Sequence, residues 1–366
     1  MLGNNSESSE FNRSAADESQ PRALPDQFTL ILRAAYFVLL LATSFCPSAW
    51  SQTGDFASLA SSADAARQQG DIPMAIELYR KATEENPNWP DGWWFLGILQ
   101  YDGNQYAGAK EALSRYLQLT PNAAPALALR GLCEFEMSDY PESLQDLDLA
   151  ASRGAANQPR NARIILYHQA LLLIHFGRFE ESLAKFALLA KQGSDNQDLP
   201  IGIGLAGLRI NLLPKDVPAA QIPKLSAIGN AALRVMNEDY DAGRQAFQSL
   251  FTQYPQVANI HYLYGYLLFA TRPEQALSQF REELAISPHS PHAHAMCAWA
   301  LELQGDYAAA VEDAAKAATE DPSLPMGQLV YGRALVETGD IIGALPHLEN
   351  VLRSEPGNLE AHLAIV

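Results

Sequence analysis

Beyond residue 55 the chain alternates apolar blocks with polar turns, and the turns return at a fixed distance. Prolines at 87, 121, 255, 288, 322 and 356 are separated by 34, 134, 33, 34 and 34 residues, and the long gap is close to four periods. Placing each proline at position 32 of a 34-residue unit gives units beginning at 56, 90, 124, 163, 224, 258, 291 and 325. Position 8 is then always small: Ala63, Gly97, Gly131, Ala170, Ala231, Gly265, Ala298 and Gly332. Position 20 is small as well: Ala75, Ala109, Ser143, Ser182, Gly243, Ala276, Ala310 and Ala344. Larger apolar residues fill positions 4, 7, 24 and 27, as Trp93, Leu96, Leu113 and Tyr116 do in the second unit.

This pattern predicts a helical hairpin in each unit. Helix axes approach to about 8–10 Å only where small side chains face one another. "QGD" at 69–71, "QGDY" at 304–307 and "TGD" at 338–340 supply a glycine to end one helix and an aspartate to start the next. One hairpin cannot bury its own apolar face, so successive hairpins stack into an all-α array.

The segments "WWFLG" (93–97), "QYAGAKEALSRYLQLTPN" (105–122) and "GDYAAAVEDAAKAATEDP" (305–322) carry a resemblance to the tetratricopeptide repeat family, which extends over nearly all of residues 56–358. The resemblance implies an α-solenoid, a right-handed superhelix of helical hairpins, and a role in binding a protein or peptide. Two stretches depart from the pattern. Residues 154–162 lengthen one junction, and 197–223 hold a single helix-like stretch, "PIGIGLAGLRINLL", followed by "PKDVPAAQIPK". The expected organisation is a polar lead at 1–33, a signal peptide or membrane anchor at 34–51, four units over 52–196, a degenerate unit or linker at 197–223, and four units with a partial ninth over 224–366.

In the resembled family, ligands lie along a groove formed by first helices, at positions 2, 5, 9, 12 and 13. Those phases bring forward Trp94, Tyr101, Phe135, Tyr167, Tyr262, Tyr266 and Trp299 as partner-binding candidates, with His292 and Glu302 nearby in phase. The alternative is that these aromatics pack against adjacent units, or against a superhelix that closes on itself. Chaperone-binding members hold a carboxylate with a Lys and Asn clamp; here Trp94, Ile98, Ala128 and Leu132 occupy the corresponding phases, so that clamp is not expected.

Net charge changes the list of partners. Formal charge is −17, with no basic run, so a phosphate backbone is repelled and nucleic acid is not an expected partner. Arg33, the apolar stretch from Ala34 to Phe45 and the small residues at Ser48–Ser51 form a signal-like segment. Cleavage near Ser51 makes the protein periplasmic or secreted, in a bacterial envelope. Without cleavage the same segment is its only membrane contact. Three cysteines give no disulfide framework.

"SPHSPHAHAMCAWA" at 287–300 holds zinc-ligand types in His289, His292, His294 and Cys297. On the 34-residue ruler, however, His294, His261 and His362 share position 4, which points to packing rather than a metal. Gly202, Gly204 and Gly207 spell G-x-G-x-x-G but follow no strand, so a dinucleotide site is not expected and Gly207 reads as a helix-crossing residue. No catalytic motif, cofactor or metal site is expected. The sequence stops two turns into a ninth first helix, which keeps a second reading open: an interaction portion of a larger, enzymatic or assembly protein.

Overall fold

A computed structural model describes residues 48–193 and 196–365, with side chains from Asp55 onward. The polar lead and nearly all of the signal-like segment lie outside the described residues. Eighteen α-helices follow one another, and no strand occurs among the described residues. They are α1 (Ser48–Gln69), α2 (Ile72–Glu85), α3 (Pro90–Asp102), α4 (Tyr106–Leu119), α5 (Ala124–Glu136), α6 (Tyr140–Ser152), α7 (Pro159–His175), α8 (Phe179–Lys191) and α9 (Leu199–Gly207). The series continues with α10 (Ile222–Met236), α11 (Tyr240–Gln253), α12 (Ile260–Leu268), α13 (Pro273–Ile286), α14 (Pro291–Leu303), α15 (Tyr307–Glu320), α16 (Pro325–Glu337), α17 (Ile341–Ser354) and α18 (Leu359–Ile365). No described helix is long and apolar enough to cross a membrane.

All sixteen small residues at positions 8 and 20 are buried. At three of the four position-8 glycines, a Cβ would collide with a large side chain of the second helix. It would lie 2.8 Å from Leu113 at Gly97, 2.7 Å from Phe280 at Gly265, and 2.6 Å from Leu348 at Gly332. Where position 20 is serine, its hydroxyl donates across the hairpin to the position-8 carbonyl: Ser143 to Gly131 at 2.7 Å and Ser182 to Ala170 at 2.9 Å. A polar residue is thereby buried at no unmet hydrogen-bonding cost.

The turns follow the expected chemistry. Gly70, Gly305 and Gly339 adopt left-handed φ, and the aspartates after them accept from the N–H three residues on. Glu238–Asp239 does the same at α11 without glycine, with Glu238 at φ +66°.

The chain forms two compact units, dividing after Gln169 within α7. The first contains α1 to α6 and most of α7. Its amino-terminal core sets Tyr79 against Phe95 and Trp89, with the Tyr79 hydroxyl donating to Asp64 at 2.5 Å and Arg67 stacked over Phe95. The second unit runs from Ala170. Within it, residues 199–207 form helix α9, buried along almost its entire length and packed on α10. A Cβ at Gly204 would lie 2.3 Å from the Leu225 carbonyl oxygen, and one at Gly229 would lie 1.8 Å from that of Pro200. The two helices therefore touch backbone to backbone. A Cβ would lie 2.4 Å from the Leu263 side chain at Gly207 and 2.8 Å from that of Phe186 at Gly202, so all three glycines of the G-x-G-x-x-G motif serve close helix crossings.

Candidate functional site

The histidine-rich stretch resolves into a repeated device. His294 Nε2 stands 3.1 Å from the Pro288 carbonyl, His362 Nε2 is 2.9 Å from that of Pro356, Gln328 Nε2 donates to Pro322 at 3.1 Å, and Trp93 Nε1 donates to Pro87 at 2.9 Å. In each case a position-4 side chain binds the carbonyl of the proline six residues earlier, tying a first helix to the loop that leads into it. His261 uses its phase differently, stacking on Phe251 with ring centroids 3.7 Å apart and meeting Gln279 through Nδ1. His294 Nδ1 also meets Asp313 Oδ1, and Arg281 holds both oxygens of that carboxylate. Cys133 and Cys297 are free and buried, and burial pushes both thiols well up. No group of three His, Cys, Asp or Glu side chains gathers as metal ligands among the described residues.

The seven aromatic candidates fall into two groups. Trp94, Tyr101, Phe135, Tyr167 and Tyr262 are buried, whereas Tyr266 and Trp299 are half-buried. In the first unit, Trp94 packs on Tyr116, Tyr101 on Tyr106, and Phe135 on both Tyr140 and His168. Burial holds His168 down to about 4, against the Ile164 carbonyl that its Nδ1 meets at 2.8 Å.

In the second unit, the face around Tyr262 is occupied by the chain itself. Glu180, at the start of α8, accepts from the Tyr262 hydroxyl at 2.8 Å, and its carbonyl accepts from Tyr266 at 3.3 Å. Arg209, just beyond α9, pairs with the Glu180 carboxylate and donates to His292 Nε2. Its guanidinium also lies over the Phe179 ring. Burial raises Glu180, but Arg209 and the Tyr262 hydroxyl outweigh it and hold the carboxyl below its ordinary range. Burial and Arg209 together push His292 down to about 4. Tyr262, Tyr266 and His292 thus form part of a closed polar contact. Glu180 and Arg209 carry no periodic signal by which the sequence could have marked them.

Trp299 is placed differently. It lines a cavity of about 540 Å³ with Glu302 and Leu303 of α14, Tyr307 of α15, Arg333, Val336 and Glu337 of α16, and Glu360, Leu363 and Ala364 of α18. On the repeat ruler the α14 and α16 residues are positions 9, 12 and 13, and Glu360 and Leu363 are positions 2 and 5. These are the first-helix phases expected to meet a ligand. A second cavity of about 500 Å³ adjoins it and shares Trp299 and Glu360. Arg333 pairs with both Glu302, Nη2 to Oε2 at 3.1 Å, and Glu360. Glu302 is 7% exposed, and its enclosed carboxylate meets Arg333 as an ion pair. Burial pushes its carboxyl up to about 7; Arg333 opposes the shift, while Glu360 and Glu337 add to it.

A curated relative, the CTR9 homolog of Arabidopsis thaliana, is 24% identical over 301 residues, covering 80% of this chain. The chain spans about a quarter of that protein's length. Among solved structures, a tetratricopeptide repeat protein from Parabacteroides merdae is similar at 15% identity and a TM-score of 0.34, over 77% of this chain and 99% of that one. Yeast Tom70 is similar at 12% identity and 0.38, over 86% and 95%. The sequence pattern of the family described as tetratricopeptide repeat matches residues 61–124, 96–159 and 266–325. These matches fall on the helical hairpins described above, and residues 61–159 and 266–325 carry the pattern of tetratricopeptide repeats.

Proposed function

We propose that this protein is a non-catalytic interaction scaffold that holds a peptide or protein partner on the first-helix face of its second unit. The observation that carries this reading is the cavity around Trp299, open at the phases where neighbouring first helices face one another. A half-buried tryptophan beside exposed Leu303 and Leu363 supplies the rigid aromatic and apolar anchors that dominate interface energetics. Tyr262 and Tyr266 shape this face by holding Glu180 rather than by meeting a ligand. Export to the cell envelope, suggested by residues 34–51, belongs to the same proposal.

The test is a randomised dodecamer peptide array probed with the full chain, followed by dissociation constants for the tightest peptides. Trp299→Ala should weaken them by tenfold or more, about 1.4 kcal/mol, while Leu188→Ala on the exposed side of α8 leaves them unchanged. Equal binding by the Trp299 variant would move the site elsewhere.

A further inference from the structure

We infer that His292 is a proton-operated latch: its neutral imidazole holds the Arg209 segment against α14, and protonation lets that segment go. The assignment starts from donors and acceptors. Arg209 Nη2 stands 2.5 Å from His292 Nε2. A guanidinium carries five N–H donors, has no acceptor and does not deprotonate. Nε2 must therefore accept, which fixes the imidazole as the neutral tautomer with its proton on Nδ1. An imidazolium has no lone pair to offer, and at this distance it sets one cation against another.

The latch sits where the repeat is interrupted. Arg209 follows α9, within the irregular stretch 197–223, and reaches three helices of the second unit. It pairs with Glu180 at the start of α8, stands 5.8 Å over the Tyr262 ring of α12, and donates to His292 in the first turn of α14. Its own loop is fixed by the Arg209 N–H on the Ala206 carbonyl at 3.1 Å and the Ile210 N–H on that of Leu205 at 2.9 Å. Because α14 also packs on α13 and α15, losing Arg209 is a local event.

The imidazole is faced by Arg209 beyond α9, Glu180 from α8, the Tyr262 ring from α12 and Asp321 beyond α15. None of these changes charge between pH 6.5 and pH 5. Arg209 stays cationic. Glu180 is held below its ordinary range, Arg209 and the Tyr262 hydroxyl outweighing burial, and the Ser323 hydroxyl holds Asp321 down as well. Burial raises Tyr262. Burial and Arg209 hold His292 at about 4, against 6.5 for a free imidazole. The released state therefore takes up the proton in that window. The latch is shut above 6.5, and its hold is lost as pH falls toward 4. From pH 7 to pH 5 the release equilibrium shifts by roughly twentyfold.

The latch stands apart from the peptide-binding reading, and its test needs no peptide. Hydrogen exchange of the full chain, corrected for the intrinsic effect of pH, is followed at the Arg209 and Ile210 amides, with α11 as the reference in the same unit. Protection at Arg209 and Ile210 should fall about twentyfold from pH 7 to pH 5, while α11 changes by less than about twofold. His292→Gln keeps an acceptor that does not titrate, so it should match wild type at pH 7 and lose the fall. Unchanged protection in wild type, an equal fall in α11, or a fall that survives His292→Gln would each overturn the latch. Imidazole nitrogen-15 shifts of the wild-type chain test the first step without any variant. A protonated Nδ1 with a bare Nε2 is expected at pH 7, and an Nε2–H tautomer or a charged ring would overturn the assignment.

Discussion

The Tyr262 hydroxyl donates to the Glu180 carboxylate at 2.8 Å, joining residues 82 apart in sequence. Arg209 completes the contact from a third segment, and His292 accepts from Arg209. The pair explains why Tyr262 and Tyr266 are not open: α8 supplies the acceptors that both hydroxyls meet. Removing Glu180 leaves the Arg209 guanidinium, 16% exposed, without its carboxylate. Glu180→Ala is therefore expected to cost about 2–4 kcal/mol, and Tyr262→Phe about 1 kcal/mol. Denaturant melts followed by circular dichroism should rank them in that order. A Glu180→Ala/Arg209→Ala double variant should recover part of the loss.

Opposing titrations should flatten the stability profile in mildly acidic solution. His168 and His292 are held at about 4 in the folded protein against an ordinary 6.5, so the unfolded chain binds more protons between those values. Their contribution is present above 6.5 and is lost as pH falls toward 4. Glu134 and Glu302 are raised to about 7 from 4.5, chiefly by burial, so their contribution is lost as pH rises through that window. Glu302→Gln should therefore raise the melting temperature at pH 8 more than at pH 5. His168→Asn should reduce the acid-side fall. A Glu302→Gln effect independent of pH would contradict this assignment.

The position-4 device predicts which replacements a first helix tolerates. Gln328 already makes the bond to its proline carbonyl that His294 makes. His294→Gln should melt within a few degrees of wild type. His294→Leu leaves the Pro288 carbonyl without this partner and removes one of the two partners of Asp313 Oδ1, and should cost about 1–3 kcal/mol. Thermal melts of the two variants side by side decide the matter, and equal losses would reduce His294 to a space-filling role.

What the sequence made legible is whatever the 34-residue period imposes. Small residues at positions 8 and 20, Gly-Asp turns and the shared phase of His294 and His362 answer constraints that recur in every hairpin, so they recur in the chain. Trp299 and Glu302 were on the ruler for the same reason. Glu180 and Arg209 were not, because their contact arises where the ruler breaks around α9 and joins segments with no common phase. The charge state of Glu302 was equally hidden: it depends first on burial and then on Arg333 and Glu360, which belong to two other hairpins. The dipeptide pattern around Gly202 and Gly204 misleads as a motif because close helix crossing and phosphate binding both require glycine, for the same lack of a side chain.

That crossing provides the most direct test of the fold in the second unit. At Gly229 a methyl group would sit 1.8 Å from the Pro200 carbonyl oxygen, and at Gly204 2.3 Å from that of Leu225. The obstacle is backbone in both cases, so no rotamer change relieves it and α9 must separate from α10. Gly229→Ala should lose more than the 1–3 kcal/mol, roughly, of ordinary overpacking. Gly357→Ala, with open space around it and no unusual φ, should lie within about 0.5 kcal/mol of wild type. Because α9 carries the chain into Arg209, separating α9 from α10 should also loosen the Glu180 contact. Gly229→Ala and Glu180→Ala combined should then cost less than their sum, measured by the same denaturant melts. Strict additivity would mean that α9 moves without disturbing Arg209, and that the polar contact stands on α8, α12 and α14 alone.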